Sequence, residues 1–267
     1  VVTVIDDAGQ QLLLPGPARR IVALAPHAAE LVFGAGAGDR LKGVTAHCDY
    51  PPEAARLPRV GDATRLDREA LLALRPDLVV AWTSGNRPQD LAWLDAQGIP
   101  VYHSQPERLE AIADNLLDIG RLAATETAAR NAAAVFLDQL GAIRSRYQDV
   151  PPLRVFFQVW HRPLITVGAD HLITQALRLC GGQPIFPGLQ QAAAPVSEEA
   201  VIAADPEAIV AAVSEDGTED PFARWRRWNG MSATARGRFV RVPADLINRP
   251  AARILIGAGN ICLGLHR

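Results

Sequence analysis

Short runs of β-branched and other apolar residues alternate along the chain with Ala/Leu-rich stretches whose apolar positions recur every three to four residues. This alternation predicts an α/β chain in which buried strands are separated by helices. Residues 20–26 (RIVALAP) read as a buried strand and residues 28–35 as the helix after it. Residues 69–74 predict a helix that feeds the strand 78–82 (LVVAW). A helix over 89–97, stopped by Gly98, leads into a strand at 100–103. Residues 108–147 contain no proline and read as one or two long helices. Pro151 and Pro152 punctuate the chain, and 153–159 (LRVFFQV) starts a new strand that ends at Trp160.

An internal echo organises these elements. Residues 69–81 read EALLALRPDLVVA and residues 199–211 read EAVIAADPEAIVA, identical at six of thirteen positions at a constant offset of 130. Each is a helix, a proline break and a strand, and each follows a lobe-opening strand. The pattern predicts two similar Rossmann-like α/β lobes joined by a long helix: an N-terminal lobe at 1–106, a bridging helix at 107–150 and a C-terminal lobe at 151–267. Two lobes offer a cleft between them, a favoured place for a ligand.

Composition narrows the partners. Of 267 residues, 49% are hydrophobic and 21% charged, which excludes a disordered chain. With 27 basic and 29 acidic residues the formal net charge is −2, which argues against nucleic acid or an anionic membrane surface. No apolar run reaches the roughly 18 residues of a membrane span. Trp225 and Trp228, set among Arg224, Arg226 and Arg227, read as helix packing with arginine stacking. The three cysteines, Cys48, Cys180 and Cys262, form no CxxC pair.

The familiar catalytic signatures GxSxG, GxxxxGK[ST], HExxH and GxGxxG do not occur, and the glycine-rich GAGAGDR at 34–40 ends a helix instead of starting one. The six histidines are scattered, and no metal site of protein side chains is assigned. This favours a binding protein over an enzyme. A cytosolic α/β enzyme using the interlobe cleft stays open.

The opening VTVIDDAGQQLLLPGPARRIVALAP resembles the mature N-terminus of metal-chelate-type periplasmic substrate-binding proteins of ABC importers. GVTAHCDYPPEA (43–54), LLALRPDLVVAWTSGN (71–86), LCGGQPIF (179–186), DLINRPAARIL (245–255) and Cys262 are similar to the cobalamin-binding members. The resemblance implies two α/β lobes bridged by one helix that resists large hinge closure. It implies a corrinoid, cobalamin or cobinamide, carried between the lobes as transported ligand, with no cofactor of the protein's own. A haem or a ferric siderophore on the same fold is the alternative.

By the same resemblance Tyr50, Trp82 and Trp160 contact the corrin. The TSGN turn after Trp82 offers backbone amides, and Asp245 and Arg249 bond the rim. Ile165 stands where an aromatic contact is expected, and Ala63 and Ala193 where pocket tryptophans are expected. His27, His47 and His161 fall in strand-end loops facing the cleft and leave room for axial coordination of a metal centre. Glu69 and Glu199, with Glu198 able to share the role, are expected to dock on the permease dimer of an importer driven by its ATPase subunits. Cys180 and Cys262 are expected to pair in an oxidising periplasm, with Cys48 reduced. The chain is read as a monomeric, mature periplasmic protein after signal removal.

Overall fold

A computed structural model describes residues 1–214 and 217–267. The chain forms two compact units: Val1–Pro106 with Glu110–Leu137, and Glu107–Leu109 with Asp138–Arg267.

The first unit opens with an antiparallel pair, β1 (Val2–Ile5) and β2 (Gln11–Leu14). Then come β3 (Ile21–Ala23), α1 (Pro26–Gly34), β4 (Leu41–Val44), α2 (Arg68–Ala73), β5 (Leu78–Trp82), α3 (Pro88–Ala96) and β6 (Val101–Ser104). Strands β3 to β6 make a parallel sheet in the order β4-β3-β5-β6. β3 and the first four residues of β5 are wholly buried, because helices cover both faces of such a sheet. Pro26 supplies a fixed φ in the first turn of α1, where its missing N–H costs nothing.

The proline-free stretch read as one or two long helices forms two, α4 (Ala111–Leu122) and α5 (Glu126–Tyr147). The break is local: Ala124 takes a left-handed φ of 48°, and the Thr125 amide turns back to the Gly120 carbonyl at 2.8 Å. α5 runs for 22 residues, and the boundary between the two units falls within it.

The second unit continues with β7 (Leu153–Gln158), β8 (Trp160–His161), β9 (Leu164–Val167), α6 (Leu172–Leu179), β10 (Gly182–Pro184), β11 (Ala193–Pro195), α7 (Glu198–Ala204) and β12 (Ala208–Val213). It closes with α8 (Ser232–Ala235), β13 (Phe239–Pro243), α9 (Ala244–Ile247) and α10 (Ile254–Leu265). Its parallel sheet has the order β10-β7-β12-β13, and a second, antiparallel sheet has the order β11-β9-β8. Its core gathers Phe156, Ile209, Phe222 and Trp225, with Phe156 edge-on to Trp225 at 5.6 Å.

Numbered within each unit, both parallel sheets have the same order: second, opening, third, fourth strand. The echoed segments build α2 with β5 and α7 with β12, the third strand of each sheet. The repeat in sequence is therefore a repeat of position in the fold.

Trp225 lies in a single 3-10 turn, not an α-helix, and is fully buried, with Arg224 over its ring at 5.9 Å. Cys180, capping α6, and Cys262, within α10, are both buried and joined by a disulfide across a sequence separation of 82. Cys48 is also buried, its Sγ 3.7 Å from the Thr45 hydroxyl. In the chain-entropy model a loop of this length contributes about 4 kcal/mol. Urea unfolding of the reduced protein should therefore show a stability lower by about that amount than the oxidised protein; superimposable curves would contradict it.

Candidate functional site

In a parallel sheet of this order the chain leaves the opening and third strands in opposite directions. The crevice at their carboxyl ends is where ligands bind in such folds. In the first unit those ends are Ala23 and Trp82. The Trp82 amide donates to Asn86 Oδ1 at 2.7 Å, and Asn86 Nδ2 donates to the Leu24 carbonyl at 2.8 Å, closing the turn onto the end of β3. A Cβ built on Gly85 would stand 1.9 Å from the Trp82 ring, so only glycine lets the indole lie on this turn. The expected supply of backbone amides from TSGN is not found. Thr83 donates to the Ser104 carbonyl and Ser84 to Gln105 Oε1, while Gly85 and Asn86 donate to the Trp82 carbonyl. The turn spends its own donors on holding Trp82.

The His27 and Trp82 rings meet edge to face, their centroids 5.3 Å apart. Expected in a loop, His27 is instead in the first turn of α1 and only 1% exposed. Asn115 points its Nδ2 at the Asp7 carboxylate, 2.9 Å away, and so presents Oδ1 to the Ser104 hydroxyl at 2.6 Å. That hydroxyl, having donated to Asn115, accepts from His27 Nε2 at 3.2 Å. Burial drives the His27 pKa down to about 3, so the ring is neutral. The pair is not a nucleophile and its base: Ser104 is fully buried and gives its proton away from the imidazole. His27 is a floor under Trp82, and metal coordination by it is excluded by burial and by its bond to Ser104.

Tyr50 and His47 are on the loop after β4. Tyr50 is 44% exposed and precedes a cis peptide bond to Pro51; His47 is exposed with a φ of 63°. Ala63 is exposed in the neighbouring turn, where Asp62 Oδ1 accepts from the Thr64 hydroxyl and the Thr64 and Arg65 amides. Those bonds, the hydroxyl's foremost, lower the Asp62 pKa, and His47 adds a smaller effect in the same direction.

In the second unit Trp160 does not end β7. It opens β8, in an antiparallel hairpin with β9 that stands beside the carboxyl end of β7, and it is 54% exposed. Trp160 pairs directly with Ile165, so two expected contact residues share one hairpin. Ala193 is exposed on β11, opposite Val167. His161 packs against Trp160 at 5.6 Å and places Nε2 3.0 Å from a Glu219 oxygen. Arg224 donates to the His161 carbonyl at 2.9 Å and reaches Glu198 at 4.0 Å; Glu198 also accepts from Trp228 Nε1 at 2.8 Å. Hairpin and α7 are thus tied by Arg224. Asp245, in α9, accepts from Arg253 at 3.1 Å, and Arg249 is half-buried after the helix. Glu69 and Glu199 are both exposed, each two residues after a side-chain N-cap, Asp67 and Ser197.

The periplasmic binding protein family model matches residues 21–246. The chain belongs to the periplasmic binding protein family. It is 36% identical over 252 residues to the vitamin B12-binding protein of Vibrio cholerae, covering 94% of this chain and 90% of that one. It superimposes with a TM-score of 0.86 on the crystal structure of a periplasmic vitamin B12 binding protein of Vibrio cholerae, at 36% identity, covering 94% and 98% of the two chains. A periplasmic heme binding protein from Pseudomonas aeruginosa, at 24% identity and a TM-score of 0.79 over 93% of each chain, shares the fold.

Within this binding-protein fold, sequence reasoning missed Asn115, Ser104 and Asp7, which hold the floor of Trp82, and Arg253, which engages Asp245. Asn115 carried a signal: it is an amide within an otherwise apolar helix face. Acid should expose the buried imidazole. His27 binds a proton near pH 6.5 when unfolded and near 3 when folded, so its contribution is present above 6.5 and is lost as pH falls towards 3. Urea midpoints measured from pH 7 to 4 should give a slope up to about 1.4 kcal/mol per pH unit that disappears in His27→Gln; an equal slope in both proteins would contradict the assignment.

Proposed function

We propose that this chain is the periplasmic capture component of an importer: it binds a corrinoid and hands it to a membrane permease, with no catalytic step. The observation that carries this reading is 36% identity along 94% of the chain to a vitamin B12-binding protein. The aromatic edges support it. A corrin is a broad amphipathic disc, and Trp82, Tyr50 and Trp160 offer flat apolar surface at the carboxyl ends of two like sheets. Asp245 and Arg249 supply an acceptor and donors suited to rim amides. With alanine at 63 and 193, the surface offers fewer rings than the resemblance implies, which favours cobinamide, lacking the nucleotide loop, alongside cobalamin. The test is gel filtration with aquocobalamin, cobinamide and haemin in separate runs. Co-elution of the corrinoids is expected; co-elution of haemin alone would overturn the reading.

Trp82 rests on a fixed turn, whereas Trp93 lies on α3 under the Arg68 guanidinium, 4.8 Å away. Trp82→Ala should weaken corrinoid binding by about 1–3 kcal/mol, roughly 5- to 150-fold, and Trp93→Ala far less. Equal losses in two folded variants would place the site elsewhere.

Glu69 and Glu199 form the proposed docking pair. The repeat gives each the same post in its own unit, a helix N-terminus favouring a carboxylate, and a two-fold permease can meet one from each unit. For Glu199 the bonds at that terminus, those from its own amide and Ser197, lower the pKa and keep it charged. The double variant Glu69→Ala with Glu199→Ala should keep corrinoid binding and lose transport in vesicles holding the cognate permease and ATPase. Exposed pairs act on association and register and are screened by salt, so the loss relative to the wild type should be largest at low salt and shrink as salt rises. Undiminished transport would leave both residues as helix-terminal carboxylates.

A further inference from the structure

We infer that the second unit carries an anion-binding site, a cleft between the start of β13 and the last turns of α10 that takes a phosphate or diphosphate group. The inference stands whether or not the carried ligand is a corrinoid.

The cleft holds about 560 Å³. Arg236, Arg238, Arg241 and Arg267 line it, and no carboxylate side chain does. Arg236 and Arg238 precede β13, at the amino end of the parallel sheet, whereas Trp160 stands beyond the carboxyl end of β7. A cation beside the carboxyl end of a helix is favourable, which accounts for one arginine at α10 but not for four. Two of the four are partly neutralised. Arg236 meets Glu207 at 2.9 Å, and Arg241 meets Asp220 at 3.0 Å, an aspartate that also takes Arg226. Arg238 differs: its Nη1 is buried and has no hydrogen-bond partner among the described residues. A guanidinium drawn out of water without an acceptor is costly, and an anion in the cleft supplies the missing counter-charge. Guanidinium forks match phosphate oxygens. Several of them around one cleft suit a group with oxygens on all sides better than a planar carboxylate. The backbone under Arg238 is fixed on both sides: its amide donates to the Ala233 carbonyl at 2.9 Å, and its carbonyl accepts from the Ile209 amide at 3.0 Å. A Cβ on Gly264 would lie 2.4 Å from Val240 Cγ1, so glycine lets α10 seat directly on β13 and sets the width of the cleft.

The probe is inorganic pyrophosphate, titrated into the intact protein at fixed ionic strength and followed by calorimetry. Saturable binding is expected, weaker in a second titration at higher sodium chloride. Arg238→Met, its folding checked by thermal melting, should bind about 10- to 100-fold more weakly. Arg267→Gln, at an exposed position, should bind up to about 5-fold more weakly. Arg19→Gln, exposed in the first unit, should bind as the wild type does. Flotation with phosphatidylglycerol vesicles but not phosphatidylcholine vesicles, lost in Arg238→Met, assigns the phosphate to a lipid headgroup. Pyrophosphate binding without flotation assigns it to a free anion. No saturable binding by the wild type, or equal binding by the wild type, Arg238→Met and Arg267→Gln, overturns the site.

Discussion

An imidazole buried without a charged partner must be neutral and hydrogen-bonded, and in the first unit this constraint at His27 organises four elements. The bond to Ser104 fixes the end of β6, Asn115 fixes the face of α4, and Asp7 ties the turn after β1 into the same chain. Each donor in the chain points one way, from ring to hydroxyl and from amide to carboxylate. Breaking any member leaves a buried polar atom without its partner, which costs more than the bond itself contributes. Trp82 can stand half-exposed at a strand end because what lies under it cannot shift.

The two edges solve the same problem differently. The first holds its tryptophan on a turn that consumes its own amides and needs glycine at 85. The second carries Trp160 on a short antiparallel hairpin, braced by the Thr166 hydroxyl on the Phe157 carbonyl at 2.7 Å and by Arg224. Arg224 also faces Glu198 in the first turn of α7, the helix that carries Glu199.

Much of this was legible in the chain. The offset of 130 marked two third strands because helix, proline and strand must recur wherever the same crossover is built. LVVAW read as a buried strand because both of its faces are covered. The misreadings came where local pattern is silent. Nothing in the apolar spacing near Ala124 announces a left-handed residue, so the pattern left open whether 108–147 is one helix or two. The apolar run FFQVW hides the point after Gln158 where the chain leaves the parallel sheet for the hairpin. His27 looked like a loop residue because its partners, Trp82 and Ser104, lie 55 and 77 positions away in sequence. The resemblance named contact residues, but the atoms that hold them, Gly85, Asn86, Ser104 and Asn115, are visible only in three dimensions.

The placement of the three cysteines also decides how faithfully the oxidised chain is assembled. Cys180 appears early in the second unit, and its proper partner follows 82 residues later, on a helix that packs against α6. Cys48 is the one wrong partner that the sequence offers. Its sequestration in the first unit, at 0% exposure, takes it out of competition once that unit has folded. Folding of the first unit thus acts as a protecting group for a thiol, and correct pairing becomes a matter of timing between two units instead of a choice among three sulfurs.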